Sequence, residues 1–358
     1  MTWPTRLLRP FLTTLPTALL SALALASCGR MPPAARVPGQ PVAVRWCDSL
    51  PRPANAALER VPVGSDWFEV YRLDSGVFAI SEPRQFQEVI SYLIVGQERA
   101  LLFDTGLGVS PIRPVVSELT TLPVQVLNSH THYDHAGGNA EFDRILAVNT
   151  AYTRANTRGF PHSELAGEVT PESWCRSAPA GLDTATWHTR PWSPTRFVPD
   201  GYRVDLGGRV IEVLQVPGHT PDAVALLDRA AGLLWTGDSF YQAPIWLYVP
   251  ETDLDAYARS VDRMAALVPA LKKLFGSHNI VAGSPPERLL QLKRALALVR
   301  AGKATGMALS SDRIQFGFDG FALLFSKPGL DGRKGDQTRG GSGLTTWPPE
   351  SPPPAPEK

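Results

Sequence analysis

The sequence predicts a layered α/β domain. Three observations carry the prediction. Short apolar and β-branched runs alternate with segments of helical period. There is no repeat of solenoid length, and no dinucleotide or P-loop glycine pattern. Hydrophobic residues make up 43% of the 358, enough for one large domain or two small ones. The formal net charge of +1 gives no electrostatic argument for nucleic acid or an anionic membrane surface.

The N-terminus opens with Arg6 and Arg9, followed by an apolar run over 11–26. That run is short for a membrane span and suits a signal-peptide core. Leu25-Ala26-Ser27-Cys28 closes it and resembles the bacterial lipobox. The resemblance implies removal of 1–27 and a lipid on the Cys28 thiol. The expected location is the outer side of a bacterial membrane (periplasm or cell surface), with the membrane engaged through that lipid only. Residues 28–60, rich in Pro, Ala and Arg, read as a linker. Cys47 and Cys175 can pair in an oxidising compartment, and two lone thiols fit the sequence equally.

The folded domain is expected over 61–326. Residues 67–80 alternate around Asp74-Ser75-Gly76, a hairpin signal. Residues 89–95 and 100–103 read as strands, 112–119 as a helix and 124–127 as a buried strand. A strand over 144–148 and a short helix over 151–157 follow. Residues 160–199 differ: they hold six prolines, three tryptophans and no clear period. They read as an insertion over the active-site face, with Trp174, Trp187 and Trp192 lining a pocket for an apolar part of the substrate. Residues 202–216 return to strand patterning around Gly207-Gly208, and 223–227 pairs with 233–235. Residues 253–275 show helical period, and 285–300 form a second helix, with prolines in its first turn and Gly302 after its end. A closing hairpin is expected over 314–325. Residues 327–358 are Gly, Ser, Pro and charge, and are expected to be disordered.

The chemistry concentrates in 128–139. His130, His132, Asp134 and His135 are four possible metal ligands within six positions, and three of the chain's seven histidines are among them. Imidazole nitrogen and carboxylate oxygen suit borderline cations such as zinc. Their spacing does not place them on one helical face, so it predicts a loop folded around metal, two ions and not one. Gly137 and Gly138 allow the chain to turn sharply after it. Three further candidates follow strands or a helix: His219 in Pro217-Gly218-His219, Asp238 in Thr236-Gly237-Asp238, and His278 in Gly276-Ser277-His278.

The His130, His132, Asp134, His135 pattern resembles the HxHxDH signature of the metallo-β-lactamase superfamily, and the resemblance covers roughly 67–302. It implies an αββα sandwich with a metal pair at one edge. It implies that His130, His132 and His219 hold one metal, that Asp134, His135 and His278 hold the other, and that Asp238 bridges. Asp104 resembles the family's buried aspartate that orients a ligand loop. The context of His278 departs from the family's usual Pro-Gly-His-Gly. The expected cofactors are two zinc ions, with iron or manganese also compatible with this set. Two cations sharing a water lower its pKa towards neutrality, so the resemblance implies that a bridging hydroxide hydrolyses an ester, thioester or lactone. The full set with Asp238 resembles that of glyoxalase II, the acyl-homoserine lactonases and acyl-CoA thioesterases. Asp134 is expected to shuttle a proton. Tyr241 is expected to donate a hydrogen bond to the developing oxyanion, with Tyr133 the weaker candidate.

Three other readings compete. β-Lactam hydrolysis suits an exported protein, but the lactamases with this first motif lack the bridging aspartate and others use a cysteine ligand. A mononuclear iron dioxygenase acting on a sulfur substrate does not need the set of Asp134, His135 and His278. A non-catalytic binding or maturation factor does not need a complete ligand set. The expected partner is a small-molecule substrate, not nucleic acid; oligomeric state stays open. His162 and His188 match no motif.

Overall fold

Short, nearly continuous apolar runs, buried on both faces, build two sheets that pack face to face. The computed structural model describes residues 46–330. The signal segment, the lipobox with Cys28 and the tail beyond 330 lie outside the described residues. The first sheet has eight strands in sequence order: β1 (Glu59–Val61), β2 (Glu69–Asp74), β3 (Val77–Ser81), β4 (Ile90–Val95), β5 (Ala100–Phe103), β6 (Val124–Leu127), β7 (Ile145–Ala147) and β8 (Arg196–Phe197). It is antiparallel from β1 to β5 and parallel from β5 to β8.

The second sheet collects β9 (Arg203–Asp205), β10 (Val210–Gln215), β11 (Val224–Asp228) and β12 (Leu233–Gly237). The chain then leaves it as β13 (Pro244–Leu247) and returns as β14 (Lys273–Gly276), parallel to β12. A third, smaller sheet joins β13 to β15 (Met307–Ala308), β16 (Arg313–Phe318) and β17 (Phe321–Ser326).

Three apolar clusters define the layers. The first and second sheets meet through Tyr92, Phe103, Ile211, Leu226, Trp235 and Phe275. The outer face of the first sheet packs on the helix Arg113–Leu119 and on the insertion. The outer face of the second packs on the helices Leu254–Ala265 and Arg288–Arg300 and on the third sheet. This is an αββα sandwich, as the resemblance implies. Within the central layer Trp235 and Phe275 stack at 5.7 Å between ring centroids. The Tyr92 hydroxyl donates to the Gly276 carbonyl at 2.5 Å, holding the end of β14 against the first sheet.

Several elements differ from the sequence reading. The helix expected over 253–275 ends at Ala265, because Pro269 cannot continue it, and 273–276 instead forms β14. The strand β13 has no counterpart in the sequence reading. The helix over 285–300 begins at Arg288. The stretch read as linker is structured from Trp46 onward. It enters two short 3₁₀ turns and pairs β1 with β2. Cys47 and Cys175 are joined in a disulfide with their Cα atoms 5.5 Å apart, which ties this segment to the insertion.

Candidate metal centre

The candidate ligands sit where strands of both sheets end. The loop after β6 carries His130 and His132, and a short helical turn, Tyr133–Ala136, presents Asp134 and His135. The motif is therefore not purely a loop: His132 is extended and precedes the turn. His219 follows β10, Asp238 follows β12, and His278 follows β14. Glycine allows the closest approach. Gly237 has a φ of +53°, and a Cβ there would meet the Ser129 Cβ at 2.5 Å, so only glycine lets the Asp238 loop lie on the His130 loop.

Three groups of nitrogen and oxygen atoms result. His130, His132 and His219 form one; Asp134, His135 and His278 form another; His130, His135 and Asp238 connect them. Within each group the ligand atoms lie within 4.8 Å of one another. His130 Nε2 and His132 Nδ1 are 2.7 Å apart, and His219 Nε2 is 3.4 Å from His132 Nδ1. Asp238 reaches both sides: its carboxylate is 3.1 Å from His278 Nε2, 3.5 Å from His135 Nε2 and 3.7 Å from His219 Nε2. Asp134 Oδ2 lies 3.2 Å from His135 Nε2 and 3.8 Å from His278 Nε2.

The remaining ring nitrogens show how the imidazoles are aimed. His278 Nδ1 lies 2.7 Å from the Gln87 carbonyl, and His219 Nδ1 lies 2.8 Å from the Trp246 carbonyl. His135 Nδ1 lies 3.0 Å from Asp104 Oδ2. A carbonyl or carboxylate accepts, so these nitrogens carry the proton and each Nε2 turns a lone pair into the centre. Asp104 is fully buried and does more. Its Oδ1 accepts the Ser129 backbone N–H at 2.6 Å, and its Oδ2 also accepts the Ser277 hydroxyl at 3.1 Å. It thus ties the His130 loop and the His278 loop to the same carboxylate.

Sequence reading missed Asp222. It is buried, and accepts from Thr131, Thr153 and Thr220 at 2.6, 3.0 and 2.8 Å. It joins the loop of His130 and His132 to that of His219. Burial raises its carboxyl above the usual range despite those three hydroxyls. Its only sequence signal is its place three residues after His219.

The electrostatics divide the site. Burial, and then the like charge of His135, hold His130 well below the usual imidazole range. Burial, then His219, lower His132 to about 3. At His135 burial also opposes charge, yet Asp134, Asp238 and Asp104 together hold its imidazole well above the usual range. Burial likewise opposes charge on Asp238, and His278 and His135 overcome it and hold the carboxyl well below its usual range. The carboxylates favour positive charge at the centre, and the lowered His130 and His132 keep their lone pairs free to meet it. Among the described residues, His135 Nε2 and Asp238 Oδ1 are buried with no hydrogen-bond partner. Unpaired buried polar atoms are costly. A divalent cation would satisfy both, and the donor set of imidazoles and carboxylates fits one.

Two sequence expectations need correction. The Tyr241 hydroxyl donates to the Pro244 carbonyl at 2.8 Å, and its ring packs 4.8 Å from that of His278. Its proton is committed to the backbone, so Tyr241 supports His278 and is not aimed at an oxyanion. Tyr133 accepts from Gln87 Nε2 at 2.8 Å and is hydrogen-bonded to Glu168. The insertion tryptophans pack inward. Trp174, Trp187 and Trp192 are buried in the core beneath the first sheet, and Trp174 meets Trp67 edge-on at 5.8 Å. His162 and His188 face the backbone carbonyls of Trp187 and Thr186.

Seven candidate ligands converge at the strand ends of an αββα sandwich, a donor set that fits a metal-dependent hydrolase. The metallo-beta-lactamase superfamily profile matches residues 86–278, more than half of the chain, and the chain belongs to that superfamily. Human acyl-coenzyme A thioesterase MBLAC2 is 26% identical over 245 residues, 63% of this chain and 86% of the relative. A hydroxyacylglutathione hydrolase of Aeromonas hydrophila is 28% identical over 185 residues, 51% of this chain and 58% of the relative. Among solved structures, the sec-alkylsulfatase Pisa1 from Pseudomonas sp. matches with a TM-score of 0.51 at 17% identity, over 65% of this chain and 42% of that one. At that identity it speaks for the fold alone.

Proposed function

We propose that this hydrolase works with two zinc ions and cleaves a carbonyl ester bond, with thioesters first and esters and lactones as alternatives. The observation that carries the reading is the buried convergence of two ligand sets on Asp238, with His135 Nε2 and Asp238 Oδ1 unpaired. Similarity to an acyl-coenzyme A thioesterase along 86% of its length supports the thioester.

Bound zinc would supply Lewis acidity and lower the pKa of water towards neutrality. The chain supplies the rest. Asp104 and the carbonyls of Gln87 and Trp246 hold His135, His278 and His219 in one tautomer and orientation. Burial keeps bulk water from the ligands and strengthens each electrostatic contact. Asp134, whose Oδ2 lies 3.2 Å from His135 Nε2, would take a proton from the attacking water and return it to the leaving group.

The test is metal content by mass spectrometry on purified chain without added metal, followed by a panel of thioesters, esters and lactones. Close to two zinc per chain with thioester turnover is the expected result. Close to one iron would overturn the reading in favour of oxygen chemistry on a sulfur substrate. We also propose that the chain is exported and anchored by a lipid on Cys28. The lipobox-like Leu25-Ala26-Ser27-Cys28 and the Cys47–Cys175 disulfide support this, since disulfides persist in oxidising compartments. Replacement Cys28→Ser should move the chain from the membrane to the soluble fraction of a bacterial host; unchanged membrane association would refute the anchor.

A further inference from the structure

A narrow cleft borders the metal centre on the side of His278. Trp46, Phe86, Ala243, Pro244 and Trp246 give it apolar walls, and His278 and Tyr241 also line it. Two of its lining residues, Gln87 and Trp246, supply the carbonyls that orient His278 and His219. The cleft therefore borders the centre through His278 and the residues that orient two of its imidazoles.

The polar side chains along it are committed to one another. Arg52 forms a bidentate ion pair with Glu88, with Nε at 2.9 Å. Asn279 Nδ2 donates to the same Glu88 at 3.1 Å. Gln87 Nε2 donates to Tyr133 at 2.8 Å and to Glu168 at 3.3 Å. What is left to meet a ligand is uncharged and mostly aromatic. Charged portions of a substrate, such as phosphates or carboxylates, find no complement there, whereas a neutral hydrocarbon chain does.

Part of the lining comes from the segment that reads in sequence as linker, through Trp46 and Arg52. Trp46 stands beside Cys47, which is bonded to Cys175 of the insertion. Arg52 fixes the same segment to Glu88, and Asn55 accepts the Ala282 N–H at 3.1 Å. Three attachments on three different loops hold it across the cleft.

We infer that Trp46, with Phe86 and Trp246, forms a subsite for the uncharged acyl chain of the substrate, so that the N-terminal segment sets acyl-chain preference. The inference rests on the acyl-ester reading above. Its test uses hexanamide and acetamide as neutral probes, with binding to the purified chain measured by calorimetry. Hexanamide should bind about tenfold or more tightly than acetamide, from its four extra methylenes. Trp46→Ala should remove the preference by opening the wall, and Ala243→Trp should remove it by filling the cleft with the N-terminal segment intact. Trp46→Phe should keep it. Equal binding of the two amides by the unaltered chain, or a preference that survives in both Trp46→Ala and Ala243→Trp, would overturn the subsite. Thioester turnover in the same preparations separates the two readings. Chain-length preference without turnover of any carbonyl ester refutes the proposed reaction and leaves the subsite standing. Turnover without chain-length preference refutes the subsite alone.

Discussion

The metal cradle and the 160–199 insertion are both rich in side chains that sequence reading assigns to function, and the fold uses them in opposite ways. The cradle gathers seven candidate ligands from four loops and leaves two of their atoms without a hydrogen-bond partner. The insertion buries its three tryptophans against the first sheet, where they complete the core. Polar residues left unpaired in a buried place store affinity for something absent from the chain. Aromatic residues packed edge to face store stability. Removing a member of the first region should abolish chemistry; removing a member of the second should loosen the fold.

The largest expected effect tests the first half of that contrast. Asp238→Ala should lower kcat/KM by about 10³ or more, since a misplaced metal forfeits several kcal/mol of Lewis-acid stabilisation. Metal content should fall with it, while near-UV circular dichroism stays native. The second half predicts the reverse signature. Trp187→Ala, and separately Trp192→Ala, should destabilise the chain by about 3–5 kcal/mol in denaturant titrations with KM unchanged. A raised KM at unchanged stability would return these tryptophans to the substrate pocket. Next in size is Asp104→Asn, which puts an amide N–H against His135 Nδ1. It should weaken metal binding about 10- to 100-fold in a chelator competition, with smaller loss of stability than either tryptophan variant.

The contrast also explains what could be read in the sequence. The cradle is legible because metal ligation demands particular atoms at short spacing, and the lone pairs of His130, His132, Asp134 and His135 sit within one loop and turn. His219 and Asp238 are legible by their place after strands. Asp222 is not, because a carboxylate that accepts three threonine hydroxyls needs contacts 2, 69 and 91 residues away. Tyr241 illustrates the converse. Its position near Asp238 suggests catalysis, but only the course of β13 reveals that Pro244 takes its hydroxyl. Tryptophans within a proline-rich stretch carry no period, so nothing local says which way they face. The Cys47–Cys175 bond spans 128 residues and depends on the fold already being in place.

Glu168 is where the two regions touch, and it gives the smallest and most discriminating effect. It comes from the insertion, is buried, and is hydrogen-bonded to Tyr133 within the metal motif. Burial pushes its carboxyl up to about 7, although its hydrogen bonds to Tyr133 and Gln87 pull the other way. A folded-state pKa above the unfolded value of about 4.5 means that the stabilising contribution is complete below about 4.5 and is lost as pH rises through about 7. Glu168→Gln fixes the neutral state. The variant should therefore gain on the unaltered chain by an amount on the order of 1–2 kcal/mol between pH 5 and pH 8, read from urea midpoints at each pH. Glu82 is also raised to about 7, by burial first, and contributes a slope of the same sign to both proteins, so it cancels in the difference. A constant difference across that range would mean that Glu168 is ionised throughout. The insertion would then meet the cradle through a charge and not through a neutral hydrogen bond.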